Sequence, residues 1–545
     1  MAGIADFLDS LIGGFDLICF CLAIGSLLWA LLVLRPWQDA EILGPALLSK
    51  TITLIYLGGF WLTAAQVFKI VLKIWLMAAV LDRWPFPEFA ETTQFIGGII
   101  RAVLTLLLAS YCYLCLRLHP FSKLHWFMAG LAAWPMLISG AWLVHAAGRF
   151  EDQLLLMGLT VLHQVAAAAW IGGVFQLVNL WFLRRANAVS TELWPLLLRR
   201  FSPFGIAYVA LILASGLPIA LKYIDTWNGL VGTGYGNLLM VKITLLSLAL
   251  GLAWLNRSAV QAFGISGNGY ALSHRVPYFI EAETFVLITL LFTAASLASQ
   301  PPAIDIPNLT ATWQEVLATF KPQVPLTTSP THSALIAGEP GRVAIIDQVP
   351  SLAATEWSNY NHNISGIFLT TMSFFAMLSY FKHPAFEKLK YWPWGFVMLG
   401  VFLFFRSDAE TWPLGPIGFW ESTFNNGEVL QHRIATLLVF VLGVIELRAR
   451  MSGNENTKLP FVFPVLAAFG GLMLLTHSHV GFQAKSAFLI QVGHTAMGVF
   501  SLVLACGRWL ELKLDKPGKD IAGFISVAAL FQIGIILMFY REPLY

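Results

Sequence analysis

Charge is what this 545-residue sequence has least of. Asp, Glu, Lys and Arg together make up 12 % of it, about half the share of an ordinary soluble domain. That shortage excludes a soluble multi-domain enzyme, and a disordered, collagenous or coiled-coil chain goes with it. A net charge of +3 is too small for a nucleic-acid surface. Cysteine is scarce as well. Cys19, Cys21, Cys112, Cys115 and Cys506 all lie in apolar runs and make no secreted disulfide framework. P-loop, dinucleotide, HExxH and G-x-S-x-G motifs are missing, so ATP-driven pumping by this chain has no support in the sequence. What is present is 57 % apolar residues, 14 % aromatic residues and long uncharged runs. The expected fold class is all-α, a polytopic transmembrane helix bundle.

At about 20 apolar residues per span, fourteen segments qualify: 11–34, 52–72, 95–116, 124–146, 154–183, 203–223, 236–256, 277–299, 361–381, 391–405, 428–447, 460–478, 487–508 and 521–540. The second apolar run continues to Leu81, so Lys69 and Lys73 are expected to snorkel, with Ile74–Leu81 along the interface. The first span is led by Asp6 and Asp9 without Lys or Arg, unlike a cleaved signal. Twenty Lys and Arg fall in loops on one side and eight on the other. That bias places both termini outside, which in a bacterial inner membrane is the periplasm. Residues 300–360 are polar and Pro-rich. They read as a periplasmic linker between an eight-helix domain, 1–299, and a six-helix domain, 361–545.

Polar and soft side chains at membrane depth are functional candidates because hydrocarbon makes them costly. His362, His432, His477, His479 and His494 all fall towards the outer side of the second domain. Met473 shares a helix face with His477 (i, i+4), and Met497 shares one with His494 (i, i+3). Imidazole with thioether suits copper, and Glu428, one turn before His432, is expected to orient that ring. Paired histidines also suit the axial positions of a b-type haem, with His432 or His477 opposite His494. In the first domain, His145 and His163 form a second outer pair. Cys112 and Cys115, with His119 at i+7, share a face at an inner helix end, where thiols can pass on Cu(I). Arg101, Lys242, Arg433 and Glu446 lie near span ends and are expected to snorkel. Glu281 and Glu283 lie deeper, and read either as ion-pair partners or as part of a proton or cation path.

The strings LHQVAAAAWIGG (162–173), FSPFGIAYVALILASGLPIALKY (201–223) and GTGYGNLLMVKITLLSLALGLAWLNR (232–257) resemble, in order and spacing, the CopD family of bacterial copper-resistance membrane proteins. LLTHSHVG and VGHTAMG resemble the C-terminal extension of longer CopD-like proteins. The resemblance implies copper import across the inner membrane rather than an enzymatic activity, with a CopC-like periplasmic carrier as partner. It carries over His163, Trp170, Gly172 and Gly173, then Thr233, Gly234, Tyr235, Gly236 and Lys242, and finally Asn256 and Arg257. A further alternative is a non-catalytic membrane partner that docks a periplasmic protein through residues 300–360 and the Trp-, Pro- and Gly-rich loop 406–427.

Overall fold

The computed structural model describes residues 2–149, 151–338, 351–381, 383–452, 458–476 and 484–543. Its principal helices are α1 (Phe7–Leu34), α2 (Glu41–Ala79), α3 (Thr93–Leu116), α4 (Lys123–Leu143), α5 (Gln153–Arg185), α6 (Leu193–Tyr223) and α7 (Gly234–Ser266). They continue with α8 (Val276–Ser299), α9 (Leu352–Leu378), α10 (Trp394–Arg406), α11 (Gly427–Ser452), α12 (Val462–Thr476), α13 (Ala484–Lys513) and α14 (Gly518–Met538). Among the described residues no β-strand is present, so the all-helical expectation holds.

Helices cover all fourteen expected segments, and eleven of them are long and apolar enough to cross a membrane. The other three are α9, α10 and α11. Helix α10 has 13 residues, roughly 20 Å at 1.5 Å per residue, against a hydrocarbon core of about 30 Å. Helix α9 opens with the polar stretch Ser358–Asn363, and α11 carries Glu428, Arg433, Glu446, Arg448 and Arg450. Helix α10 thus falls short in length, whereas α9 and α11 keep polar groups where a simple span has none.

The chain divides into two compact units. The first comprises Asp9–Tyr223 and Leu246–Ser299. The second comprises Met1–Leu8, Ile224–Leu245 and Gln300–Tyr545. Small residues bring helices together in both, as expected where lipid removes the hydrophobic drive between helices. In the first unit, a Cβ on Gly172 of α5 would sit 2.5 Å from Gly25 Cα of α1, and a Cβ on Gly173 would strike the Phe201 ring of α6. In the second unit, Leu369, Met372, Phe396, Phe463, Met497 and Leu530 form an apolar core.

Several charges do not snorkel. Arg101 is 5 % exposed, with Nη2 4.0 Å from Asp16 Oδ2, and Gln66 donates to the same carboxylate. Its guanidinium lies where a Cβ on Gly140 would otherwise stand. A counter-charge and a glycine-made space inside the bundle therefore replace the route to the interface. Glu446 is buried between Arg450 Nε at 2.7 Å and Arg508 Nη2 at 2.8 Å, and Arg508 extends the network to Glu511. Arg433 reaches back to Phe419, Ser422 and Thr423, tying down the short helix Phe419–Asn425. The run through Lys69 and Lys73 is one unbroken helix to Leu81. Its one kink is at Gly44 (φ 67°), and Ile70 and Ile74 pack on Phe89.

Candidate metal centre

The polar opening of α9 builds the site. Asn363 is buried and donates to the Leu537 and Tyr540 carbonyls, and its own carbonyl accepts from Leu326 N and Arg541. Asn359 accepts from Glu542 N at 2.8 Å. The chain leaving α14 is thus stitched to α9. Gly366 permits this, because a Cβ there would overlap the Met538 backbone. The result places Tyr540 flat on His362, with ring centroids 4.1 Å apart, and edge-on to His494 of α13 at 6.0 Å. The two imidazoles meet edge to face at 5.8 Å.

Both rings are oriented in the same way. His362 Nδ1 lies 2.8 Å from the Ser358 carbonyl, and His494 Nδ1 lies 3.0 Å from the Ile490 carbonyl, each four residues back on its own helix. A carbonyl can only accept, so the partners assign the proton to Nδ1. This is the orientation that metal-binding histidines adopt.

His432, on α11, donates through Nδ1 to Asp408 Oδ1 at 2.9 Å. Glu428 and Glu542 lie within electrostatic range of the same ring. Asp408, a loop residue that spacing along the helix does not single out, supplies an orienting hydrogen bond. Asp408 is held on both sides, because Asn361 donates to the Arg406 carbonyl at 2.6 Å and His332 Nε2 donates to the Ala409 carbonyl at 2.7 Å. Met473 is buried on α12, and Met497 lies in the apolar core of its unit. His477 and His479 lie outside the described residues. Among the described residues no three His, Cys, Asp or Glu converge as a metal site. The ring neighbours of His494 are His362 and Tyr540, and the haem pairing gains no support.

In the first unit, His163 Nδ1 donates to the Ile212 carbonyl at 3.1 Å and contacts Ser215 Oγ at 3.2 Å, bridging α5 to α6. Gly216 leaves the room, since a Cβ there would stand 2.9 Å from the ring. His145 is exposed in the turn His145–Gly148. Cys112 and Cys115 occupy a π-turn, Cys112–Leu116, whose wider winding disturbs the even i, i+3 spacing. Cys112 is buried and Cys115 half-buried, and His119 stacks on His125 at 4.8 Å.

The glycine block has a structural role in the second unit. Thr233 Oγ1 accepts from Gly236 N at 3.0 Å, and Ala311 N donates to the Gly232 carbonyl at 2.9 Å. A Cβ on Gly232 would collide with the Ala311 carbonyl.

Comparison with known proteins bears on the blocks 201–223 and 232–257. The family model for Copper resistance protein D (CopD) matches residues 195–297, the stretch that holds α6, α7 and α8. The chain carries a CopD-family segment. A curated relative, Copper transport protein CutJ of Bacillus subtilis (strain 168), is 31 % identical over 224 residues, 39 % of this chain and 39 % of its own. The chain therefore spans well under half of that relative's length. No solved structure matches. Both matches are to proteins named for copper, and eleven helices among the described residues have the length and composition to cross a membrane. The CopD segment also contains Ile212 and Ser215, which hold His163 in place.

Proposed function

We propose that this chain transports copper across the bacterial inner membrane, in a non-enzymatic role. His362 and His494 capture the ion on the periplasmic side, and His432, oriented by Asp408, is a separate imidazole that receives it first. Copper is the cargo. The observation that supports this reading is the His362–His494 pair beside Tyr540, two imidazoles from different helices meeting edge to face, each with Nδ1 hydrogen-bonded to its own helix. The CopD segment and the relative's name support copper as the ion.

A periplasmic copper carrier of the CopC kind delivers the ion at loop 406–427. That loop exposes Trp412, Trp420 and Phe424 beside Asp408 and the short helix held by Arg433. Met473 and Met497 are reserve soft ligands near the entry. His145, Cys112 and Cys115 belong to the inward path, and His163 holds α5 to α6 beside it.

The test is copper uptake into vesicles reconstituted with the full chain. Wild-type protein is expected to raise uptake above empty vesicles, and His362→Ala with His494→Ala is expected to abolish the increase. Unchanged uptake in that double variant would remove the pair from the pathway.

A further inference from the structure

Glu283 is a deep acid that the copper reading leaves without a task. It lies on α8, seven residues in from Val276, and is 3 % exposed. Asn256 of α7 donates to its Oε2 at 3.1 Å, and no Lys, Arg or His forms an ion pair with it among the described residues. Asn256 is itself 8 % exposed, and its Oδ1 is buried without a hydrogen-bond partner. Both residues belong to the CopD segment.

The surrounding charges are engaged elsewhere. Arg257 on α7 bonds Ser202 Oγ, and Arg184 on α5 bonds Ser273 Oγ. Helix α1 carries no charge between Asp16 and Arg35. Glu281 is two residues earlier on α8, about 200° round the helix. A carboxylate taken out of water without a cation is expensive. A carboxylate also cannot donate to Asn256 Oδ1, whereas a carboxylic acid can. One added proton therefore removes the buried charge and offers a donor to the orphaned amide oxygen.

The alternatives fit less well. Copper selects imidazole and sulfur over such a site. Calcium and magnesium need about six or more oxygens, and this pair offers a carboxyl and one amide oxygen. We propose that Glu283 and Asn256 form a proton-binding site inside the membrane, separate from the copper ligands, and that its loading and unloading couples copper movement to a proton gradient. The step is the gain or loss of one proton at the Glu283 carboxyl, and no electron moves. The coupling rests on the transport reading above, whereas the proton site does not.

Two measurements on the full chain separate these claims. Infrared difference spectroscopy across a pH titration, without copper, should show a protonated-carboxyl stretch that disappears in Glu283→Gln. The stretch should persist in Glu281→Gln and shift in Asn256→Ala. An identical stretch in wild type and Glu283→Gln would overturn the proton site, and Glu283→Asp, which keeps a carboxyl, controls for folding. In vesicles, an imposed pH gradient should change copper uptake several-fold in wild type and Glu281→Gln but leave Glu283→Gln unchanged. A full gradient response in Glu283→Gln would overturn the coupling. Wild-type vesicles that move no copper would overturn the transport reading and the coupling with it, with the infrared result still deciding the proton site.

Discussion

His163 and His494 both sit on long helices, and both donate Nδ1–H to a backbone carbonyl. His163 gives its proton to a different helix and is gripped by Ser215 and Gly216. His494 gives its proton to its own helix and turns its ring to His362 and Tyr540. The same contrast runs through their surroundings. In the first unit, Arg101 is matched to Asp16, and Gln176 to Thr51 and Ser26. These are latches between helices. In the second unit, the polar groups around His362 and His432 come from α9, α11, α13 and the chain after α10 and α14. A hydrogen bond that joins two helices spends the side chain on the fold. One made within a helix aims the side chain at something else.

The contrast can be broken by substitution. The largest effect is expected for Asp16→Ala, which leaves Arg101 buried without its counter-charge. It should cost about 3–5 kcal/mol, read as thermal unfolding in detergent, and leave copper affinity of the folded fraction unchanged. Asp408→Asn keeps the shape but weakens the hold on His432. Copper affinity should fall about 10–100-fold with no change in unfolding. His163→Ala removes a latch and should cost about 1 kcal/mol without a comparable loss of copper affinity. If copper affinity falls instead, His163 belongs with the ligands and the contrast fails.

The smallest effect concerns the outer segment. Glu315, in the short helix Trp313–Thr319, accepts from Lys485 Nζ at 2.6 Å and from Thr312 N. Its pKa is pushed down to about 2, first by the Lys485 hydrogen bond and then by the Thr312 backbone. The depressed folded value means the contribution is complete above the ordinary carboxylate range near 4.5 and is lost as pH falls towards about 2. The pair is largely solvated, with side chains 37 % and 40 % exposed. Lys485→Ala should therefore cost about 0.2–1 kcal/mol at neutral pH and nothing at the acid end, as checked by unfolding at both pH values.

Much of the fold was legible because hydropathy and length dictate spanning helices. Of the three segments outside the count of eleven, α10 is too short, and in α9 and α11 polar residues interrupt the run, as at Asn359, Asn361 and Asn363. Position along a helix also misleads about charge. Arg101 and Glu446 lie near span ends, and snorkelling would follow from that alone. Their partners, Asp16 and Arg508, are remote in sequence, and tertiary pairing is invisible to a one-dimensional reading. The candidate site divides in the same way. His362, His432 and His494 stand out as imidazoles at depth. Tyr540 and Asp408 do not, since one follows a helix end and the other sits in a loop. The available signal was the run of Asn around His362, because a membrane helix keeps such polar groups when they have work to do. Gly366 carried no signal until the approach of α9 to Met538 was seen.

The most direct test of the central claim is X-ray absorption, with metal analysis, of the copper-loaded full chain beside its His362→Ala, His494→Ala double variant. The account predicts about one bound copper with imidazole scattering in the wild type, and loss of both the metal and that scattering in the variant. The same copper content and the same imidazole scattering in both proteins would contradict it.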